Sequence, residues 1–143
     1  MRIASGLLFL LMSILYLGQV VSVINLPLAQ RLGLQEDSET IDSVYARDTA
    51  GTAMWDLVSM WTLPAAGLLM LMNNSWWPHL ALIGGAIYID TGGRQAIKLI
   101  GYRREGVRVG DDQAVRLAFA VYGTFLLLGA VAIAVGLTEL DPV

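Results

Sequence analysis

The chain has no cysteine, a single histidine and few charged residues, and each shortage closes off a class of chemistry. Without cysteine there is no disulfide, no thiolate metal site and no cysteine nucleophile. One histidine, His79, excludes a bis-histidine haem and any multi-histidine metal centre. No His-Glu-x-x-His spacing and no nucleophile motif occurs, so no metal and no cofactor is expected. Charged residues are 15% of the 143 and hydrophobic residues 56%, with a mean hydropathy of +0.62. Soluble domains carry about 25% and about 45–50% of these classes. Both departures point to lipid as the solvent. The net charge of −3 is unevenly spread and says little about partners.

What is present is a set of long apolar stretches. Four approach the roughly 20 residues needed to cross a bilayer. They cover residues 3–26, which end at Pro27, then 49–72, 76–100 and 114–137. An open sheet edge is not satisfied in lipid, so each is read as a helix. The expected fold is all-α, one domain of four transmembrane helices in an up-down-up-down bundle. The first stretch has signal-peptide features, with Arg2 ahead of it and the small Ala29 at a cleavage-like position. Its apolar run exceeds a typical signal core of about 7–15 residues, so a retained span is expected.

Positive charge sets the expected orientation. Arg31 and Arg47 flank the first loop, and Arg103, Arg104 and Arg108 occupy the loop before the fourth span. Two crossings separate these loops, so both lie on one side. The positive-inside rule makes that side the cytoplasm and leaves both termini outside. The connection from Asn73 to His79 then faces out, and Trp76 and Trp77 fit an interfacial belt. His79 reads as a wet loop residue rather than a ligand. The first loop carries Glu36, Asp37, Glu39 and Asp42, read as a solvated face, with recruitment of cations or a basic partner as the alternative. Leu28, Leu32 and Leu34 suit a short interfacial turn. The helical spacing of Ile41, Val44 and Tyr45 starts the second helix before the membrane.

Small residues recur in three spans: Gly84, Gly85, Gly92 and Gly93; Ala65, Ala66 and Gly67; and Ala130, Ala132, Ala134 and Gly136. Lipid gives helices no hydrophobic reason to associate, so such residues serve close contact, within the bundle or in a homo-oligomer. Pro64 is expected to kink the second helix. Gly92 and Gly93 sit inside a helical pattern, not between a strand and a helix, which argues against a phosphate-binding loop. No nucleic-acid partner is expected.

The most pointed feature is charge at bilayer depth. Asp90, Arg94 and Lys98 lie four residues apart on one helical face, and Asp56 lies two turns inside the neighbouring span. Intramembrane charges are expensive, so by default they face the protein interior and pair. At about 1.5 Å per residue, Asp56 and Arg94 reach a common depth, and Asp48 matches Lys98 near the surface. Asp90 is placed to brace Arg94 from within its own helix. Gln19, Ser22, Asn25, Arg116 and Tyr122 can add to a polar chamber that opens to the cytoplasm. The expected site is therefore Asp56, Asp90, Arg94 and Lys98, with Arg47 and Asp48. A binding role for a small polar or anionic ligand, or a lipid headgroup, is favoured over an enzyme. An accessory subunit of a larger membrane complex is the main alternative. A proton- or ion-conducting oligomer and a membrane-embedded enzyme remain as lesser ones.

Three short segments carry a family resemblance: Asp42-Ser43-Val44-Tyr45-Ala46-Arg47, Gly92-Gly93-Arg94, and Gly101-Tyr102-Arg103-Arg104-Glu105-Gly106. On these the chain resembles small four-span bacterial membrane proteins of the broadly DoxX-like group. That resemblance implies a four-helix bundle in a bacterial inner membrane and no particular activity. The sterol-isomerase and sigma-2-receptor-like fold fits less well. This chain lacks the histidine within a span and the embedded glutamates expected there.

Overall fold

A computed structural model of the chain describes residues 2–11, 13–36 and 39–140, so Asp37 of the acidic cluster lies outside the described residues. The elements are α1 (Arg2–Leu11), α2 (Ser13–Ile24), α3 (Leu26–Arg31), α4 (Ser43–Ser59), α5 (Thr62–Leu71), α6 (Trp77–Arg104) and α7 (Asp112–Glu139). The fold is all-helical among the described residues, apart from one isolated bridge. Three stretches are long and apolar enough to cross a membrane: Gly6–Ile24, Ser43–Leu71 and Asp112–Glu139. α6 equals α7 in length at 28 residues, but Asp90, Arg94, Lys98 and two terminal arginines keep it outside that apolar set.

Local chemistry explains the breaks. Asn25 ends the first long stretch and starts α3 by accepting a hydrogen bond from the Leu28 amide at 3.1 Å, with Pro27 in the first turn. α3 exposes Leu26 and Leu28 beside Leu32 and Leu34, an apolar surface suited to the membrane boundary. The second stretch breaks at Met60–Trp61, four residues before Pro64. Proline cannot donate to the carbonyl of residue 60, and its ring crowds that turn. Two nearby carbonyls find other donors: the Tyr16 hydroxyl donates to the Leu57 oxygen at 3.0 Å, and Thr62 Oγ1 to the Ser59 oxygen at 3.1 Å.

α1 packs on α5, α2 on α4, α5 on α6, and α6 along α7. The last pair runs antiparallel, because Gly136 faces Pro78, Gly85 faces Gly129 and Gly92 faces Tyr122. The approach is backbone to backbone: a Cβ on Gly85 would lie 2.7 Å from the Gly129 carbonyl oxygen. Gly84 meets Leu63 of α5 equally closely, with a would-be Cβ 2.9 Å from the Leu63 nitrogen. The main core gathers Phe9, Met60, Leu63, Tyr88, Phe125 and Ala132. A smaller core joins Tyr45, Leu99, Val109 and Val115 nearer the loops before α4 and α7.

Those two loops are clasped together. Ile41 and Val109 form an antiparallel bridge, and the Asp42 amide donates to the Arg108 carbonyl at 2.9 Å. The Arg108 amide and Nε each donate to the Asp42 carboxylate at 2.9 Å. Gly106 and Gly110 take positive φ values of 76° and 102° on either side of the bridging segment. Both loops, with their arginines, therefore lie at one end of the molecule. Glu36 is packed there against Gly110, and burial pushes its carboxyl above the usual range.

Candidate functional site

Below the kink, α4 and α6 are held apart and meet mainly through side chains. Above it, α5 and α6 touch at the Gly84–Leu63 backbone contact. The wider interval below is filled by polar groups. Asp56 of α4 is 1% exposed. Opposite it stand Tyr88 and Thr91 of α6, both buried, with Gln95 one turn further along the same face. The spacing Tyr88, Thr91, Gln95 follows the helical repeat, which is why one face carries all three. Thr91 lies against the Asp56 carboxylate, and Tyr88 is within electrostatic reach of both Asp56 and Tyr16.

Three buried polar atoms in this seam have no hydrogen-bond partner among the described residues: Asp56 Oδ1, the Tyr88 hydroxyl and Gln95 Nε2. Buried polar groups are almost always satisfied, so three along one seam mark it out. The set comprises an acceptor, a hydroxyl that both donates and accepts, and an amide nitrogen with two donors. Nearer the loops, Lys98 Nζ lies 2.5 Å from Asp48 Oδ2 and donates to Thr52 Oγ1 at 3.5 Å. Beyond that, the Tyr45 and Tyr102 rings meet edge to face at 5.5 Å, and Tyr122 reaches Tyr45 from α7.

The expected residues divide into three groups. Asp56, Asp48 and Lys98 lie in the seam, and the Asp48–Lys98 pair forms at the matched depth. Arg94 and Asp90 do not join them as expected. Arg94 donates from Nε and a terminal nitrogen to Asp90 Oδ2 at 3.1 and 3.0 Å. It stays within electrostatic reach of Asp56 without bonding to it. The Asp90 side chain is 63% exposed, so it faces outward and not into the chamber. The physical reason is rotation. Asp56 is level with Thr91, and residue 90 is turned about 100° from residue 91 on a helix of 3.6 residues per turn. Arg47 is exposed on α4.

Three further residues expected in the chamber are used locally. Ser22 donates to the Gly18 carbonyl of its own helix at 2.9 Å, and Asn25 caps α3. Arg116 donates to the Asp112 carbonyl at 3.2 Å on the exposed side of α7. The residues that sequence reasoning missed are Tyr88, Thr91, Gln95, Thr52 and Tyr16. For Tyr88, Thr91 and Gln95 the signal was the recurrence of neutral polar groups at helical spacing on the Gly84 face of α6; Thr52 and Tyr16 carried none. A separate open depression of about 390 Å³, lined by Thr40, Arg103, Val107, Arg108, Gly110 and Asp111, sits on the loop surface. No group of histidine, cysteine, aspartate and glutamate able to hold a metal occurs among the described residues. The chain matches no protein-family model, no curated protein and no solved structure.

Proposed function

We propose that this is a four-crossing protein of a bacterial inner membrane whose α4–α6 seam binds a small polar ligand through Asp56. In this reading α6 is the remaining crossing, packed on α5 and α7, and both termini lie outside the cytoplasm. The clasp between the two arginine-bearing loops supports the topology, because it puts most of the positive charge at one end. The DoxX-like resemblance agrees with that placement and adds no activity. The seam then opens towards the cytoplasm, past the Asp48–Lys98 pair.

One observation carries the ligand reading: a carboxylate 1% exposed, with one oxygen unpartnered and no cation bonded to it. Burying such a group without compensation costs several kcal/mol or more. A ligand bearing a hydrogen-bond donor, such as an amine or ammonium group, would satisfy Asp56 Oδ1, while Tyr88 and Gln95 address its other polar atoms. An anionic ligand is less well served, since Lys98 is held by Asp48 and Arg94 by Asp90. Native mass spectrometry of the gently extracted protein tests this. The wild type should carry a small adduct that Asp56→Asn loses while keeping its helical content. Recovery of the same bare polypeptide from both would overturn the reading.

A second reading, an accessory subunit with purely structural charges, is favoured by the outward-facing Asp90–Arg94 pair. It predicts a co-purifying protein, and an Asp56→Asn variant that still assembles with it.

A further inference from the structure

With α6 as a crossing, the proposal above on which this inference rests, the face of α6 that neither α5 nor α7 covers carries a charged pair near mid-membrane depth. α6 meets α5 through Gly84 and α7 through Gly85 and Gly92. Its remaining face presents Ile83, Ala86, Asp90 and Ile97, all exposed, with Ile97 at 72%. Gly85 is level with Gly129 and Gly92 with Tyr122, so Asp90 is level with Thr124, close to the middle of the α7 span. Hydrocarbon offers a carboxylate no partner, so a charged side chain at that depth normally faces protein or water. Among the described residues, Asp90 pairs with its own-helix neighbour Arg94 and with no other cation.

We infer that this face is a two-fold interface with a second copy of the chain. Charge complementarity selects that occupant. An isologous contact sets residue i against j and j against i, so a charged patch complements itself when it carries both signs. Asp90 and Arg94 supply both, one turn apart. Copies inserted in the same orientation bring two α6 helices together in parallel, and the two pairs form an alternating quartet shielded from lipid. The spacing agrees: Ala86, Asp90, Gly93 and Ile97 follow the four-three alternation of a left-handed helix pair. Gly93 permits close approach, because a Cβ there would reach only Leu126, at 3.9 Å.

The absence of native cysteine makes the test direct. Single cysteines are introduced as Ala86→Cys and Ile97→Cys, with Leu127→Cys on the exposed face of α7 as control. Membranes containing each full-length variant are treated with a mild oxidant. Each disulfide forms from two thiols of different copies, with loss of two electrons and two protons to that oxidant. The two α6 variants should give a species of twice the 15.5 kDa chain, and Leu127→Cys should stay monomeric. Adding Asp90→Lys to Ala86→Cys should abolish the dimer, and the swap Asp90→Arg with Arg94→Asp should restore it. Failure of both α6 variants to cross-link would overturn the inference. Equal cross-linking at Leu127, a product joined to a foreign protein, or a dimer indifferent to Asp90→Lys would each do the same.

Discussion

One stretch of chain, Ser43–Leu71, meets α6 in two different ways on either side of its kink. Above Met60 the contact is made by backbones, with Gly84 against Leu63. Below it the contact is made by long side chains: Lys98 to Asp48 and Thr52, and Tyr102 to Tyr45. The difference shows how a membrane bundle gains both rigidity and a polar interior. Small residues bring backbones together and leave no room for anything else. Where α4 diverges, the interval must be filled, and the fill includes a buried carboxylate.

The contrast is broken most severely by adding bulk where backbones touch. A Cβ at Gly129 would lie 2.5 Å from the Gly85 carbonyl oxygen, and the opposing atom is backbone, so it has little freedom to move. Gly129→Leu should therefore cost about 3 kcal/mol or more, by the upper range for overpacked cores. Gly101, further along the same α6, has nothing near its missing Cβ. There, Gly101→Ala should stabilise the helix by about 0.5–1 kcal/mol. Equilibrium unfolding in detergent measures both, and equal effects at the two glycines would erase the distinction between packed and open regions.

The next largest effect concerns the carboxylate in the side-chain-filled interval. Asp56→Asn removes the charge and keeps the shape. In ligand-free detergent-solubilised protein at neutral pH it should raise stability, because the neutral amide avoids the desolvation cost of a buried carboxylate with one unpartnered oxygen. A destabilised variant would mean that Asp56 has a favourable partner in the folded protein, and would argue against a vacant acceptor. Higher stability together with loss of a bound adduct is the pattern expected of a site that trades stability for function.

Much of this architecture is legible from residues alone, and the reasons for success and failure differ. Pro64 marks the break because its chemistry is local and acts four residues back. The Asp90–Arg94 pair and the start of α4 at Ser43 are likewise set within one helix. Asp48 and Lys98 are matched by depth, which depends only on rise per residue. What sequence reasoning does not supply is azimuth. The side of α6 that faces α4 is fixed by Gly84 docking on Leu63 and by Gly85 docking on Gly129, two tertiary contacts. They turn Tyr88 and Thr91 inward and Asp90 outward, so the conspicuous charge lies outside and the quiet neutral groups line the buried seam.

The kink that creates the interval is itself open to test. Tyr16→Phe removes the donor to the Leu57 carbonyl and leaves the ring in place. Its expected cost is about 1–2 kcal/mol, the range for stranding a partly buried acceptor. Thr62→Val, at a hydroxyl that bonds within its own turn, should cost less. Equal losses would locate the strain in the turn and not in the contact between α2 and α4.

The smallest effect lies at the loop end, where the clasp holds α4 in register with the segment before α7. The Asp42 carboxyl is held below its ordinary 3.8 by the Arg108 amide and guanidinium. A carboxylate with a depressed value contributes stability that is complete above its unfolded value and is lost as pH falls through the folded one. The clasp should therefore be intact at pH 6 and loosen below about pH 4, where the ordinary carboxylate range begins to protonate. The pair is solvent-exposed, so the global unfolding midpoint should move little. Hydrogen exchange at the Arg108 amide is the sensitive readout. It should accelerate in acid for the wild type, and should already be fast at pH 6 in Asp42→Asn. Loosening of the clasp with no change in protection at Thr91 would show that the polar seam is held by the helices and not by the loops below it.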